Sequence, residues 1–170
     1  MKSKASAIIR EANVIAAGEE VGKMEIQVKL LLLKTTIIPS VFYNIEAWTN
    51  LRKGDEESME VIQGKIIRKQ LKIPTSTPYW GILSELGIWP IRWQITYKKS
   101  MLLQSIVTLD DQRAAKHIVM EQMRTDQKGC WYSEVKTSIE ELGIEKQPTT
   151  VTKSEWKRCI KEAILKRLID

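Results

Sequence analysis

Two cysteines and a single histidine are the only thiol and imidazole side chains in 170 residues. Cys130, Cys159 and His117 show no C-x-x-C or H-x-x-x-H spacing, so the sequence supplies no fourfold zinc shell. Eight glycines and five prolines, without period, exclude a collagenous or low-complexity chain. No stretch approaches the ~18 uninterrupted apolar residues of a membrane span, so a soluble chain with no membrane partner is expected. Also missing are a phosphate-binding G-x-x-x-x-G-K-[ST] loop, a G-x-S-x-G elbow, a nucleophile–histidine–acid set and a dinucleotide fingerprint. Nothing here implies a cofactor. Arg10 and Glu11 interrupt any signal-like apolar region, and two unpaired cysteines suit a reducing compartment. The expectation is an intracellular protein, nuclear or cytoplasmic, whose thiols have no redox role.

What is present suits one ordinary domain: 43% hydrophobic and 28% charged residues, a length at which folding buries roughly two-thirds of the unfolded surface. Net charge is +6, which permits a polyanionic partner without requiring one. The excess is concentrated. Segments 65–72 and 153–169 each carry a net +4, leaving the remainder slightly acidic.

Apolar spacing is helical almost throughout. Ala5, Ile8, Ile9, Ala12, Ile15 and Ala16 share one face of a first helix that Gly18 and Gly22 end. A strongly apolar helix follows over 24–38, and Pro39 must break or kink it. The next runs from about 56 to 72 with Asp55 as N-cap. Thr77-Pro78 opens a short helix that Gly87 closes. Residues 91–109 form a long helix, and Asp110-Asp111 cap another reaching about Arg124. Gly129 precedes a helix over 131–142 that Gly143 stops. Thr152 and Glu155 fit a capping box ahead of a last helix with Trp156, Ile160, Ala163, Ile164 and Leu168 on its core face. No alternating strand pattern is evident. The expected fold is all-α, with seven or eight helices in two regions, a bundle over 1–125 and a looser helical segment over 126–170.

Among candidate functional residues, Lys65, Arg68, Lys69 and Lys72 carry the clearest physical signal. At 100° per residue they fall within about a 100° arc, with Val61 among them and Met59, Ile62, Ile66, Ile67, Leu71 and Ile73 opposite. Such a face can lie along nucleic-acid phosphates, where each basic group releases counterions and adds sequence-independent affinity; a solvated basic face is the plainer reading. A second cluster, Lys157, Arg158, Lys161, Lys166 and Arg167, has Glu155 and Glu162 interleaved for i,i+4 pairing, and a structural role is expected. Of the six tryptophans, Trp48, Trp89, Trp131 and Trp156 read as core anchors, with Trp80 and Trp93 less defined. Asp110-Asp111 after Thr108-Leu109 lacks the aromatic-x-Asp-Asp hairpin of a two-metal polymerase and reads as a helix cap. His117 reads as structural.

The run Ile38-Pro39-Ser40-Val41-Phe42-Tyr43-Asn44-Ile45-Glu46-Ala47-Trp48 resembles the P-x-x-x-Y-G-x-E-x-W signature that follows the palm in non-LTR (LINE-type) retrotransposon reverse transcriptases. Ile62-Gln63, Ile67-Arg68-Lys69-Gln70-Leu71, Thr77-Pro78 and Glu85-Leu86-Gly87-Ile88-Trp89-Pro90-Ile91 are similar to the rest of that thumb, in order and spacing. The likeness covers about residues 25–92 and loosens beyond. Asn44 stands where the family has Gly, and Asn is the residue that best replaces Gly in a left-handed turn.

The resemblance implies a thumb without its palm, and so without the catalytic aspartates, which lie upstream of the signature. It implies no enzyme activity, contact of Lys65, Arg68, Lys69 and Lys72 with the backbone of an RNA–DNA or DNA duplex, and the absent palm as the cover for the apolar 26–38 helix. The Cys-Cys-His-Cys knuckle and nuclease domain of site-specific members are not present. A degenerate genomic copy or a segment of a longer polyprotein would both read this way. The competing expectation is a helical interaction module that docks another protein through the 26–38 helix, with no nucleic-acid role.

Overall fold

The computed structural model describes residues 25–51 and 53–169, and among these the chain forms seven helices and no strand. The helix expected over 5–16, with Gly18 and Gly22, lies outside the described residues. We label the helices α1 (Ile26–Leu32, Leu33–Ile37 and Ile38–Val41 in one run), α2 (Lys53–Leu71), α3 (Tyr79–Leu86), α4 (Ile91–Val107), α5 (Ala114–Thr125), α6 (Trp131–Glu141) and α7 (Lys153–Ile169). The described chain divides into two compact units. One comprises residues 25–43 and 53–91, the other 44–51 and 92–169.

In the first unit, α1 does not stop at Ile38 but runs through Pro39 to Val41. Proline has no amide to offer the Thr35 carbonyl, and its ring crowds that turn. The chain answers with a π-turn over Leu33–Ile37, in which the Ile38 amide donates to the Leu33 carbonyl. Hydroxyls brace the same stretch, Thr35 Oγ1 donating to Leu31 O at 2.8 Å and Ser40 Oγ to Thr36 O at 2.7 Å. Leu33, Ile37, Ile38, Val41 and Phe42 are buried, and α1 packs on α2. The stretch Ile26–Ala47 is long and apolar enough to cross a membrane by length and composition, with a mean hydropathy of 1.3, a test that core helices of soluble proteins also pass.

The α2 helix begins at Lys53, earlier than expected, so Asp55 and Glu56 lie in its first turn rather than at its cap, where carboxylates still suit the positive helix end. In α3 the cap position falls to Pro78, one residue later than expected, with φ −57° and ψ 134°. Gly87 closes α3 as anticipated. At φ 58° it lets Ile88 N–H reach Leu83 O at 2.9 Å, a backbone shape that costs a side chain free energy.

In the second unit, Asn44 takes φ 57° and ψ 20°, a left-handed conformation that Asn tolerates better than other non-glycine residues. The short 3₁₀ turn Ile45–Ala47 follows it. The α4 helix ends at Val107, two residues short of Leu109. Asp110 and Asp111 do not cap α5, whose N-cap is Arg113. Asp110 Oδ1 instead accepts from Gln112 N, and Asp111 pairs with Lys116 at 2.6 Å. Gln112 and Arg113 intervene, which leaves both carboxylates too early to reach the first amides of the helix. The capping box does form before α7, Thr152 Oγ1 accepting from Glu155 N and Glu155 Oε2 from Thr152 N. Trp156, Ile160 and Ile164 are fully buried along α7.

This unit is cross-linked by polar contacts. Trp131 Nε1 donates to Glu46 O at 2.8 Å, Asn50 N to Glu134 Oε1 at 2.6 Å and Trp156 Nε1 to Ser100 O at 3.0 Å. Lys99, 4% exposed, pairs with Glu134 at 2.7 Å.

Candidate nucleic-acid interface

The basic face of α2 begins with its opposite side. Met59, Gln63, Ile66, Ile67 and Gln70 are buried, at spacings that hold one helical face inward. Lys65 and Lys69 consequently point to solvent, with Val61 exposed in the same arc. Lys72 is exposed too, but it lies past the last helical residue. At φ 54° it forms the left-handed closing residue of α2, while Ile73 N–H reaches back to Arg68 O at 3.0 Å.

Arg68 stands apart from the three lysines. Half-buried at the edge of the arc, it donates from Nη2 to Thr77 O at 2.9 Å and so ties the loop after α2 to the helix. Gly64 lies one turn before it. A Cβ there would stand 2.9 Å from Arg68 Nη1 and 3.2 Å from Tyr79 Cδ2, so the missing side chain is what lets ring and guanidinium settle on the helix. The Tyr79 hydroxyl donates to Gln63 Oε1 at 3.1 Å. Burial, then the nearby Glu60 carboxylate, push its ionisation far above the ordinary tyrosine value despite opposition from Arg68, so it stays a donor.

The other sequence candidates scatter. Lys157, Arg158, Lys161 and Lys166 are exposed on α7, Arg158 pairs with Glu162 one turn on, and Arg167 donates to the Glu141 carbonyl at 2.7 Å. Trp156 is a core anchor as expected, and Trp131 is half-buried. Trp48 is not: it is 37% exposed, because the chain leaves the 3₁₀ turn in extended conformation at that residue. His117 is exposed on α5 beside exposed Ile118 and Met120, since Val119 supplies the buried position of that turn. Among the described residues, no group of three or more His, Cys, Asp or Glu could hold a metal ion. The apolar helix keeps an open side: Ile26 is 67% and Leu31 61% exposed.

The buried Gln63 and Gln70 were missed because polar residues on an amphipathic helix read as solvent-facing. The Tyr79 ring across from Gly64 was the one available signal, a mid-helix glycine implying close approach. Comparison with protein-family models, curated proteins and solved structures finds no match.

Proposed function

We propose that the chain holds nucleic acid without catalysing its synthesis, as a thumb-like element that lays α2 along the backbone of an RNA–DNA or DNA duplex. Lys65, Lys69 and Lys72 contact phosphates, and Arg68 positions the loop beside them. The observation that carries this reading is the exposure of Lys65 and Lys69 on the flank of α2 away from its buried residues, with Lys72 exposed at the turn that closes the helix. The ordered likeness of residues 25–92 to a reverse-transcriptase thumb supports it. Each phosphate contact adds about 0.9 to the slope of log affinity against log salt. Reversing all three lysines to Glu is expected to weaken binding of any duplex sequence and to lower that slope by about 2 to 3 in a filter-binding titration. Unchanged affinity and slope would remove this assignment.

A second reading draws on Ile26 and Leu31, whose exposure gives α1 an apolar side suited to another protein. It expects the native chain to self-associate in sedimentation and the Ile26→Glu/Leu31→Glu variant to be monomeric.

A further inference from the structure

The second unit contains an open cleft of about 750 Å³, within the usual size of ligand sites, lined by two helix faces and the 3₁₀ turn. Tyr97, Lys98, Met101, Leu102 and Ser105 form one wall on α4; Lys153, Ser154 and Lys157 form the other at the start of α7; Glu46 lies beside them. This is chemistry that the duplex reading of α2 leaves unused.

We propose that this cleft binds a single strand of nucleic acid, phosphates on Lys153 and Lys157 and a base against Tyr97, Met101 and Leu102. Lys153 and Lys157 are one turn apart, and Lys161 extends the same row roughly 6 Å further along the axis. All three are exposed; Lys153 opens a 17-residue helix, whose dipole adds positive potential to its ammonium group, while Lys161 lies mid-helix beyond that effect. Tyr97 supplies an aromatic platform, on which bases stack irrespective of sequence, and two flexible or branched aliphatic side chains continue that apolar floor.

The apolar wall separates a nucleic-acid strand from an acidic peptide: a base can stack on Tyr97 beside its own anionic backbone, whereas the side chains of an acidic peptide bring charge and no planar ring. Glu46 Oε2 is buried, 3.8 Å from Lys98 Nζ, and offsets that ammonium, so the positive charge offered to the strand is that of Lys153 and Lys157. The site stands independently of α2, which belongs to the other unit.

The test is fluorescence anisotropy of the full chain with a labelled oligouridylate, a labelled duplex and a labelled Glu-rich peptide. Lys153→Glu/Lys157→Glu, both exposed positions, is expected to weaken oligouridylate binding at least about tenfold and to leave duplex binding within about twofold. Reversal of Lys65, Lys69 and Lys72 should do the converse. Tyr97→Phe keeps the ring and should bind the strand as the native chain does, whereas Tyr97→Ala should lose about tenfold. Strand affinity unmoved by the paired reversal overturns the proposal, as does binding of the Glu-rich peptide in place of the strand, or no binding of either. Failure of duplex binding alone removes the α2 reading and leaves this one in place.

Discussion

The first unit ties its helices with side chains close together in sequence, Arg68 to Thr77 and Tyr79 to Gln63, 9 and 16 residues apart. The second reaches much further: 85 residues from Trp131 to Glu46, 84 from Asn50 to Glu134, 56 from Trp156 to Ser100 and 35 from Lys99 to Glu134. Closing a loop of 85 residues rather than 16 costs about 1.5 kcal/mol more chain entropy, so the first long tie to form bears that cost and the others share the closure. Local ties can fail singly. The long ones form a set, with Glu134 holding both Lys99 and the Asn50 amide.

Cutting that set at its shared member should have the largest effect. Glu134→Ala leaves Lys99 buried without its counter-charge, and a loss of about 3–5 kcal/mol is expected in urea unfolding. Adding Lys99→Met should recover most of it, because an apolar side chain suits a 4% exposed position. A double variant no more stable than the single one would show that the pair is not what joins these segments.

An intermediate effect is expected in the first unit. Arg68→Met removes the bond to Thr77 O and should cost about 1–2 kcal/mol, with faster amide exchange confined to 74–78. If α2 holds a duplex through its lysines, affinity in this variant should change far less than on lysine reversal. An equal loss would return Arg68 to the contacting set.

The smallest effect is electrostatic and lies at the start of α7. Hydrogen bonds from the Thr152 hydroxyl and then its amide hold the Glu155 carboxyl below the ordinary glutamate value. A depressed value means the contribution is complete above the unfolded-state pKa and disappears as pH falls through the folded one. Carbon-detected NMR titration should place Glu155 below the ordinary glutamate value, and Thr152→Ala should raise it toward that value.

What could be read from the residues alone was what local chemistry decides. Gly87 and Gly143 stop their helices at positive φ, Thr152 and Glu155 cap theirs, and Asn44 takes the left-handed turn that Asn tolerates. Each outcome needs only a few neighbouring atoms. The caps proposed from Asp55 and from Asp110-Asp111 failed by a few residues, the distance within which several polar groups compete for the same amides. Burial of Lys99 and Gln63 was not legible, since whether these polar side chains can go inside depends on partners elsewhere in the fold. For Lys99 that partner is 35 residues away. The α2 basic arc was legible as a pattern, while the departure of Arg68 from it depended on where the Thr77 carbonyl came to rest.

The widened turn in α1 has a reach beyond its own five residues. In an unbroken helix, Ile26, Leu30, Leu33, Ile37 and Val41 would align in one seam. One additional residue per turn swings everything upstream through about 100°, so Ile26 departs from the line that Leu33, Ile37 and Val41 keep. A hydrogen absent from one imino acid thereby sets which way an isoleucine looks several turns earlier.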